Sequence, residues 1–424
     1  MTPTTETPMT NGLDHLKVRR WSLGNNAIHR TKESTKMKKL YRILTLTALI
    51  GSLLAFQAFA QSGGYAETDL VVNKVDANGV PTLVDSNGIT HIASLANRNL
   101  VNPWGLTASG NGVFWISDGG AGVATLHNSI GAPSALIVSI PSSANPFGND
   151  GIPTGAAFNN VSSQGAFKLS GVNKDGIPVT APAAFIFATK DGNIVGWNPG
   201  VNPPGFDPAK AGTYAVMAVS NSATAAYTGL AIATDPNGTT RLYAANFRAG
   251  TVDVFDTSFN PVPSNNMFAD PSLPRGYSPF NVAPVNIDGT TRVFVTYANP
   301  SDIFGQGHGI VNTFDLDGNG LRRFAQRGQL NAPWGIVLVP DSFGHLGGTL
   351  WVGNFGDGRI NAYDPATGEF IDKVRTPEGK AIVIDKLWSL RFGNGGSGGN
   401  LNTLYFTAGP NDEQDGLFGS LDPK

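Results

Sequence analysis

The side chains best suited to hold a ligand recur at regular places along the sequence. A short motif occurs six times, and in it an apolar residue is followed by an aromatic residue or Thr, as in Pro103-Trp104-Gly105 and Pro333-Trp334-Gly335. Aromatic faces offer large contact surfaces, and amide or carboxylate oxygens accept hydrogen bonds or hold hard cations. We therefore predict a ligand-binding mouth, where the repeats bring such residues to one surface. Its candidate members are Asn102, Trp104, Asp118, Asp191, Tyr227, Asn246, Arg248, Phe280, Asn331, Trp334, Asn354, Asp357, Trp388, Asn411 and Asp412.

The same residues also have a structural interpretation. Large aromatic side chains at the start of repeated strands wedge neighbouring units together, and we favour this role for Trp104, Trp334 and Trp388. Asp and Asn in turns often only set the turn conformation, and we favour this role for the turn carboxylates. The mouth is therefore a hypothesis about a surface, with packing and turn formation as the alternatives.

Several catalytic patterns are missing from the sequence. There is no cysteine and no phosphate-binding loop. After residue 60, His91, His127, His308 and His345 are scattered without the spacing of metal ligands. We therefore predict no cofactor and lean against an enzyme. Asp and Asn oxygens alone still leave open a divalent cation, Ca²⁺ or Mn²⁺, in a central channel.

Composition points to an all-β protein with many turns. Of 424 residues, 53 are Gly, only 14% are charged and 41% are hydrophobic, with a net charge of −2. These values exclude a disulfide scaffold, a thiolate metal site and a long-helix protein. They also argue against disorder, because the chain is hydrophobic enough to form a core and nearly neutral.

The six motif copies lie 50, 74, 52, 54 and 54 residues apart. Each copy is followed by an apolar second strand and by a third strand that ends at a polar turn, and five are followed by a segment able to form a fourth. Repeats of about 50 residues with three or four strands predict a β-propeller, here with six blades. The long spacing contains residues 159–179, which we interpret as an insertion.

The last repeat ends after its third strand, because Leu421-Asp422-Pro423 aligns with Tyr363-Asp364-Pro365. Its fourth strand must come from elsewhere, and residues 68–75, before the first repeat, are free to supply it. We predict that this N-terminal strand pairs in the last blade and closes the ring, which removes an exposed edge. A β-sandwich with coincidental spacing is the alternative. The prediction is a single propeller domain over residues 61–424.

The first sixty residues have the features of a targeting segment. Residues 37–60 combine a short basic stretch, an apolar run and Ala58-Phe59-Ala60, which is typical of a signal peptide cleaved after Ala60. A membrane anchor is the alternative, but the apolar run is shorter than the ~20 residues that spanning requires. Residues 1–36 precede a plausible start at Met37, and we interpret them as an extension from a mis-set start codon. We expect the protein in the periplasm or outside the cell.

Removal of the leader changes the charge of the protein. Nine of the 29 Lys and Arg and three of the 31 Asp and Glu lie in residues 1–60, so the mature chain has 20 basic and 28 acidic residues and a net charge of −8. Nucleic-acid binding then lacks its electrostatic basis. We expect no nucleic-acid partner, no membrane span after cleavage, and a monomer.

Six segments carry a family resemblance. They are residues 99–106, 187–192 with 197–199, 243–247, 330–335, 352–358, and 406–413 with 416–419. Together they resemble an uncharacterised bacterial family of exported propellers, some of which carry a PEP-CTERM sorting tail. The resemblance covers nearly all of residues 67–422 and implies six blades with the architecture of NHL-repeat propellers. It implies no established activity. No Pro-Glu-Pro, membrane segment or basic tail precedes Lys424, so we expect no sortase-like anchoring.

Two functional hypotheses follow. The first is a binding or scaffold propeller of the cell envelope or extracellular space, whose ligand is a protein or a glycan. It is based on the repeated aromatic and Asn/Asp residues of the mouth and on the missing catalytic set. The alternative is a metal-assisted lactonase or lyase with a cation in the central channel. The two differ in whether Asp and Asn oxygens converge on one point of the channel.

Overall fold

A computed structural model describes residues 63–263, 266–299, 301 and 303–424. The expected signal peptide at residues 37–60 and the extension at 1–36 lie outside the described residues. The described chain begins with four strands: β1 (Tyr65–Val72), β2 (Thr82–Val84), β3 (Thr90–Ile92) and β4 (Leu95–Ala96). Strands β2 and β3 form a separate antiparallel hairpin.

Six blades follow, and they confirm the predicted propeller. Blade 1 contains β5 (Pro103–Ala108), β6 (Phe114–Asp118), β7 (Val123–His127) and β8 (Pro133–Ser139). Blade 2 contains β9 (Pro153–Phe158), β12 (Phe185–Thr189), β13 (Asn193–Trp197) and β14 (Val216–Ser220), with β10 (Lys168–Val172) and β11 (Pro178–Pro182) inserted as a hairpin. Blade 3 contains β15 (Tyr227–Thr234), β16 (Thr240–Asn246) and β17 (Thr251–Phe255).

Blade 4 contains β18 (Ser278–Ile287), β19 (Thr290–Ala298), β20 (Ile310–Phe314) and β21 (Arg322–Gln326). Blade 5 contains β22 (Pro333–Leu338), β23 (Leu350–Asn354), β24 (Ile360–Tyr363) and β25 (Phe370–Lys373). Blade 6 contains β26 (Leu387–Phe392), β27 (Leu404–Ala408) and β28 (Leu417–Pro423). Short helical segments lie at Ser162–Gln164, Pro208–Lys210, Gly344–Leu346 and Pro410–Glu413. Among the described residues, no helix is long and apolar enough to cross a membrane.

The N-terminal strand closes the ring, as predicted. β1 pairs antiparallel with β28 from Tyr65 opposite Pro423 to Val72 opposite Leu417, and thereby becomes the fourth strand of blade 6. It begins three residues earlier than residues 68–75. The Tyr65 hydroxyl donates to the Phe343 carbonyl and accepts from the Leu346 N–H, so the start of this strand is also tied to blade 5.

Blade 3 departs from the expected four strands. Its third strand is followed by Pro261 and Pro263, which have no N–H to donate to a strand ladder. Only an isolated bridge between Phe255 and Pro261 continues the sheet in the described residues. The predicted insertion in blade 2 is present as the β10–β11 hairpin.

The third residue of each motif explains how closely the blades pack. A Cβ at Gly105 would lie 2.8 Å from the N of Ala156 in blade 2, and one at Gly155 would lie 2.7 Å from the carbonyl carbon of Gly229 in blade 3. Gly229 and Gly335 face their next blade in the same way. Glycine is needed there because a side chain would meet the backbone of the neighbouring strand.

The other two motif copies bridge the gap with a side chain. The Asn281 amide donates to the Trp334 carbonyl over 2.8 Å. The Ser389 hydroxyl donates to the Trp104 carbonyl over 2.9 Å and accepts from the Leu106 N–H over 3.1 Å. All six motif copies therefore place the innermost strand of one blade directly against that of the next, which builds the central channel.

Candidate functional site

The innermost strands begin at one face of the propeller, and five aromatic side chains close the channel there. We call this cluster the aromatic plug; it consists of Trp104, Phe280, Trp334, Phe355 and Trp388. Trp104 and Trp388 stack with ring centroids 3.7 Å apart. Phe355 lies 4.2 Å from Trp388, and Trp334 meets the same ring edge-on at 5.8 Å. Every member is buried, in keeping with the packing role favoured for these tryptophans.

Hydrogen bonds hold two of the five plug side chains in place. The Trp388 indole N–H donates to Asn102 Oδ1 over 2.8 Å, and Asn102 Nδ2 donates to Glu413 Oε2 over 2.8 Å. The Trp334 indole donates to the Thr228 carbonyl over 2.9 Å. Trp104 differs, because its Nε1 is buried and has no hydrogen-bond partner among the described residues. An unpaired buried donor is costly.

A pocket of about 60 Å³ lies against the plug. Phe304 on its wall is 37% exposed. Lys386 Nζ lies 4.8 Å from the ring centres of both Phe304 and Phe355, a cation–π arrangement, and 3.2 Å from Asp412 Oδ1. The exposed Lys190 is 5.8 Å from the Trp104 ring centre. The lining residues are Trp104, Lys190, Thr228, Phe247, Phe280, Ala298, Asn299, Phe304, Phe355, Trp388 and Glu413.

Several residues with left-handed backbone flank this pocket. Asn102 and Lys386, which precede the innermost strands of blades 1 and 6, have φ of 47° and 54°. Asn411, Asp412 and Glu413 are three consecutive residues with φ of 58°, 53° and 68°. Left-handed backbone at non-glycine residues costs on the order of 1–3 kcal/mol each and is found at binding sites more than elsewhere. The strain places Glu413 against Asn102.

Sequence reasoning missed most of the pocket wall, although a repeat signal was available. The residue immediately after the second strand of a blade is Lys190, Phe247, Asn299 or Phe355 in blades 2 to 5, and all four line the pocket. Lys190, Phe247 and Phe355 each donate their backbone N–H to a residue just before the innermost strand of their own blade. The sequence-based selection took the residue before this position in blades 3 and 5, Asn246 and Asn354, and the residue after it in blade 2, Asp191.

Several predicted mouth residues instead form hydrogen bonds within turns. Asn354 Nδ2 donates to Asp357 Oδ1 and to the Gln329 carbonyl, and its Oδ1 accepts from the Asn331 N–H. Asn246 Nδ2 donates to Asp253 in the same blade. These contacts agree with the turn-forming role that we favoured.

Asp191 and Asp118 also form hydrogen bonds within their own blades. Asp191 accepts from the backbone N–H of Ile152 over 3.0 Å. Asp118 is completely buried and accepts from the Thr125 hydroxyl in β7 over 2.7 Å, and its Oδ1 has no partner in the described part of the chain. Burial raises the pKa of Asp118 well above its usual range. This carboxyl does not line the pocket.

The remaining candidates separate from one another. Tyr227 is buried between blades 2 and 3, where its hydroxyl donates to Asp253 over 2.9 Å. Arg248 is exposed in the β16–β17 turn and donates to the Ser222 carbonyl. Asn411 donates to the Val84 carbonyl and to Asp415, whereas Asp412 is exposed beside Lys386. The structure therefore brings Asn102, Trp104, Phe280, Trp334 and Trp388 together. Tyr227, Arg248, Asn411 and Asp412 do not line the pocket, although Asp412 pairs with Lys386 at its edge.

The other part of the channel is a cavity of about 380 Å³. Its lining comes from all six innermost strands and contains Arg391, Asn160, Asn281 and Ser389, but no Asp or Glu among the described residues. Burial lowers the pKa of Arg391, and no carboxylate of the described chain lies within ion-pair distance of it. A cation in this cavity would meet a fixed positive charge.

Residues able to ligate a metal meet elsewhere. Within the described ranges, one set of His and carboxylate groups converges: Glu67, Asp69 and His91, at β1 and β3 beside blade 6. This set escaped sequence reasoning because 22 residues separate Asp69 from His91 and their spacing matches no metal-binding motif.

Fold and site together define a six-bladed β-propeller with an aromatic plug at one end of its channel. Two uncharacterised proteins of Acanthamoeba polyphaga mimivirus are similar to this chain. R648 is 30% identical over 344 residues, which is 78% of this chain and 77% of R648. L690 is 30% identical over 343 residues, 78% of this chain and 82% of L690. The chain therefore belongs to the same family as R648 and L690.

No family model matches the chain. A solved structure of a Bacteroides thetaiotaomicron protein of unknown function shares the fold, with 11% identity, a TM-score of 0.50 and coverage of 85% of this chain and 76% of that one. Virginiamycin B lyase from Staphylococcus aureus gives 12% identity, a TM-score of 0.42 and coverage of 85% and 99%. A calcium-binding protein, regucalcin, from Agrobacterium tumefaciens gives 14% identity, a TM-score of 0.43 and coverage of 76% of this chain and 90% of that one. The two relatives are viral, so a bacterial family with PEP-CTERM tails gains no support from them.

Proposed function

We propose that the chain is an exported binding or scaffold propeller of the cell envelope or extracellular space that holds its ligand in the pocket against the aromatic plug. The observation that carries the proposal is the composition of this pocket. Its floor is aromatic, its rim carries Lys190 and Glu413, and Trp104 has a buried N–H with no acceptor among the residues that the structure describes. An apolar floor with a few placed polar groups is the usual composition of a binding site.

The size of the pocket limits what can enter it. Pockets for whole small molecules measure roughly 300–1,000 Å³, whereas this one holds about 60 Å³. Only a projecting group of a larger ligand fits, which suits a glycan or a protein. We favour a glycan, because a sugar ring packs its C–H face on Phe304 and directs hydroxyls towards Lys190 and Glu413.

The test is binding to an array of envelope glycans, followed by thermal-shift titration of any glycan that binds. Phe304→Ala and Lys190→Ala should each weaken binding at least tenfold, because they remove the exposed aromatic wall and the rim charge. Arg248→Ala is the matched control: it also removes an exposed cation from a turn, but outside the pocket. A silent array points to a protein ligand instead, and binding that survives both pocket variants contradicts this site.

Export and a monomeric state belong to the same proposal. The basic stretch, apolar run and Ala58-Phe59-Ala60 support cleavage after Ala60. N-terminal sequencing of the protein from its source should read Gln61 first, and cell fractionation should find it outside the cytoplasm. A mature chain that begins near Met1 would contradict export. Light scattering should give the mass of one chain.

The metal-assisted lactonase or lyase has weaker support. Its cation would occupy the channel, where the described lining offers Arg391 and no carboxylate. Carboxylates are the usual ligands of Ca²⁺ and Mn²⁺. If a cation did bind there, Arg391→Gln would strengthen its binding by removing a like charge. A stoichiometric metal ion whose affinity rises in this variant would favour the enzymatic alternative.

A further inference from the structure

Three carboxylates surround one buried histidine beside the ring-closing strand. Glu67 and Asp69 are two positions apart on β1, so their side chains emerge on the same face of the strand. The β2–β3 hairpin brings His91 to them, and Asp85 follows directly after β2. His91 Nδ1 lies 3.2 Å from both carboxylate oxygens of Asp69 and 3.9 Å from Glu67 Oε1, whereas Nε2 lies 3.7 Å from Asp85 Oδ2.

This cluster is incompletely satisfied. The side chain of His91 is 3% exposed, yet within the described residues its Nε2 has no hydrogen-bond partner, and neither has the buried Glu67 Oε1. Among the described residues, no Lys or Arg lies within ion-pair distance of Glu67, Asp69 or Asp85. Three acidic groups therefore share one imidazole, in a place where unpaired charge is expensive.

We propose that Glu67, Asp69 and His91 bind a divalent transition-metal ion of the Zn²⁺ or Mn²⁺ type. Their ligand atoms all lie within 4.8 Å of one another, close enough to surround a single ion after small adjustments. Imidazole nitrogen together with carboxylate oxygens suits these metals, whereas Ca²⁺ requires six to eight oxygen ligands.

The surroundings of the cluster fit this role. Asp85 Oδ2 lies 3.7 Å from His91 Nε2, just beyond hydrogen-bond distance. A small shift on metal binding would let Asp85 accept the Nε2–H, which would orient the ring and leave Nδ1 as the ligand atom. The side chains of Glu67 and Asp69 are 25% and 15% exposed, so an ion can reach the cluster from solvent and complete its coordination with water. The ion would join β1 to the β2–β3 hairpin and thus reinforce the segment that closes the ring.

Zn²⁺ binding by the full chain tests the proposal, with calorimetry for stoichiometry and thermal shift for stability. One Zn²⁺ should bind per chain, and at 100 times Kd it should raise the melting temperature by about 3–4 °C, from the mass-action gain and the unfolding entropy of a domain of this size. Ca²⁺ and Mg²⁺ should bind far more weakly. Co²⁺ in place of Zn²⁺ should give visible absorption bands that report its ligand set.

Matched variants locate the ion. Glu67→Gln and Asp69→Asn keep the side-chain shape, relieve the crowding and should therefore fold, but each should weaken Zn²⁺ binding by more than tenfold. Asp85→Asn should weaken it by about 10- to 100-fold through the orientation of His91. Glu369→Gln and His308→Gln are the controls, because both residues are exposed and far from the cluster in the sequence. Neither should change the affinity for Zn²⁺. Absence of stoichiometric binding, or affinity unchanged in both ligand variants, would overturn the proposal.

Discussion

Replacement of Gly155 by alanine should loosen the contact between blades 2 and 3. The added methyl carbon would lie 2.7 Å from the carbonyl carbon of Gly229, and closer still to the N of Leu230, whereas ordinary contacts begin near 3.4 Å. The innermost strands would have to separate by roughly 1 Å in a region packed as densely as a crystal. The backbone at Gly155 is not left-handed, so crowding is the only penalty.

The magnitude follows from two contributions. Overpacking of a buried site costs about 1–3 kcal/mol. Separation of the strands also weakens the neighbouring hydrogen bond from the Thr154 hydroxyl to the Tyr227 carbonyl, which is 2.8 Å long and buried and worth about 0.5–1.5 kcal/mol. We expect a loss of about 2–4 kcal/mol in the free energy of unfolding. For a domain of this length, that loss lowers the melting temperature by roughly 3–5 °C.

Chemical denaturation and calorimetry of Gly155→Ala measure this loss. Gly110→Ala is the matched control, because a Cβ there meets nothing within 4 Å and Gly110 is exposed; its stability should stay within about 0.5 kcal/mol of the parent. If Gly155→Ala is as stable as Gly110→Ala, close contact between innermost strands does not explain the glycine in the repeated motif.

Two further predictions concern the ring closure and a buried carboxyl. Tyr65→Phe should lower the free energy of unfolding by about 1–3 kcal/mol, because it leaves the Leu346 N–H and the Phe343 carbonyl without their partner. The control is Tyr363→Phe, which should cost less because the Tyr363 hydroxyl makes no hydrogen bond in the described chain. Equal losses of stability in the two variants would contradict the role of the Tyr65 hydroxyl. The second prediction concerns Asp118, whose pKa is raised in the folded state, so that the folded state favours its protonated form. The stability that the protonated form contributes is lost as the pH rises from about 4 through that folded-state pKa. Asp118→Asn should therefore gain stability relative to the parent as the pH rises from 5 to 8 in thermal melts, and a constant difference would contradict a buried ionisable Asp118.

Much of the fold could be predicted from the sequence, because each repeat is marked by local sequence patterns. The six motifs, the strand patterns and the turn residues recur with a spacing that only stacked blades explain, and the incomplete last repeat identified the N-terminal strand as its missing partner. The prediction of a fourth strand in blade 3 was wrong, because Pro261 and Pro263 prevent the strand ladder from continuing. The glycine of the motif was visible in the sequence, but the strand it touches was not.

The candidate site was accessible only in part. The sequence grouped Asn102 with Trp104 and Trp388, because the two tryptophans occupy the same motif position and Asn102 lies two residues before Trp104. The structure places the three in contact. Turn residues such as Asn354 and Asp357 proved to bond with each other, a choice of partner that composition cannot reveal. Phe304 lies in a long connection outside the repeat, so no alignment of repeats could have placed it in the pocket wall.

The sequence by itself determined the number of blades, their order, the closing strand and the position of the channel, because each depends on periodic patterns that any stretch of chain displays. Only the tertiary structure decided where charge and hydrogen-bonding capacity are left unsatisfied. Trp104 without an acceptor, Arg391 without a carboxylate, and His91 among Glu67 and Asp69 all arise between segments distant along the chain. Their distances, and hence their chemistry, are set by how the blades and the N-terminal hairpin pack.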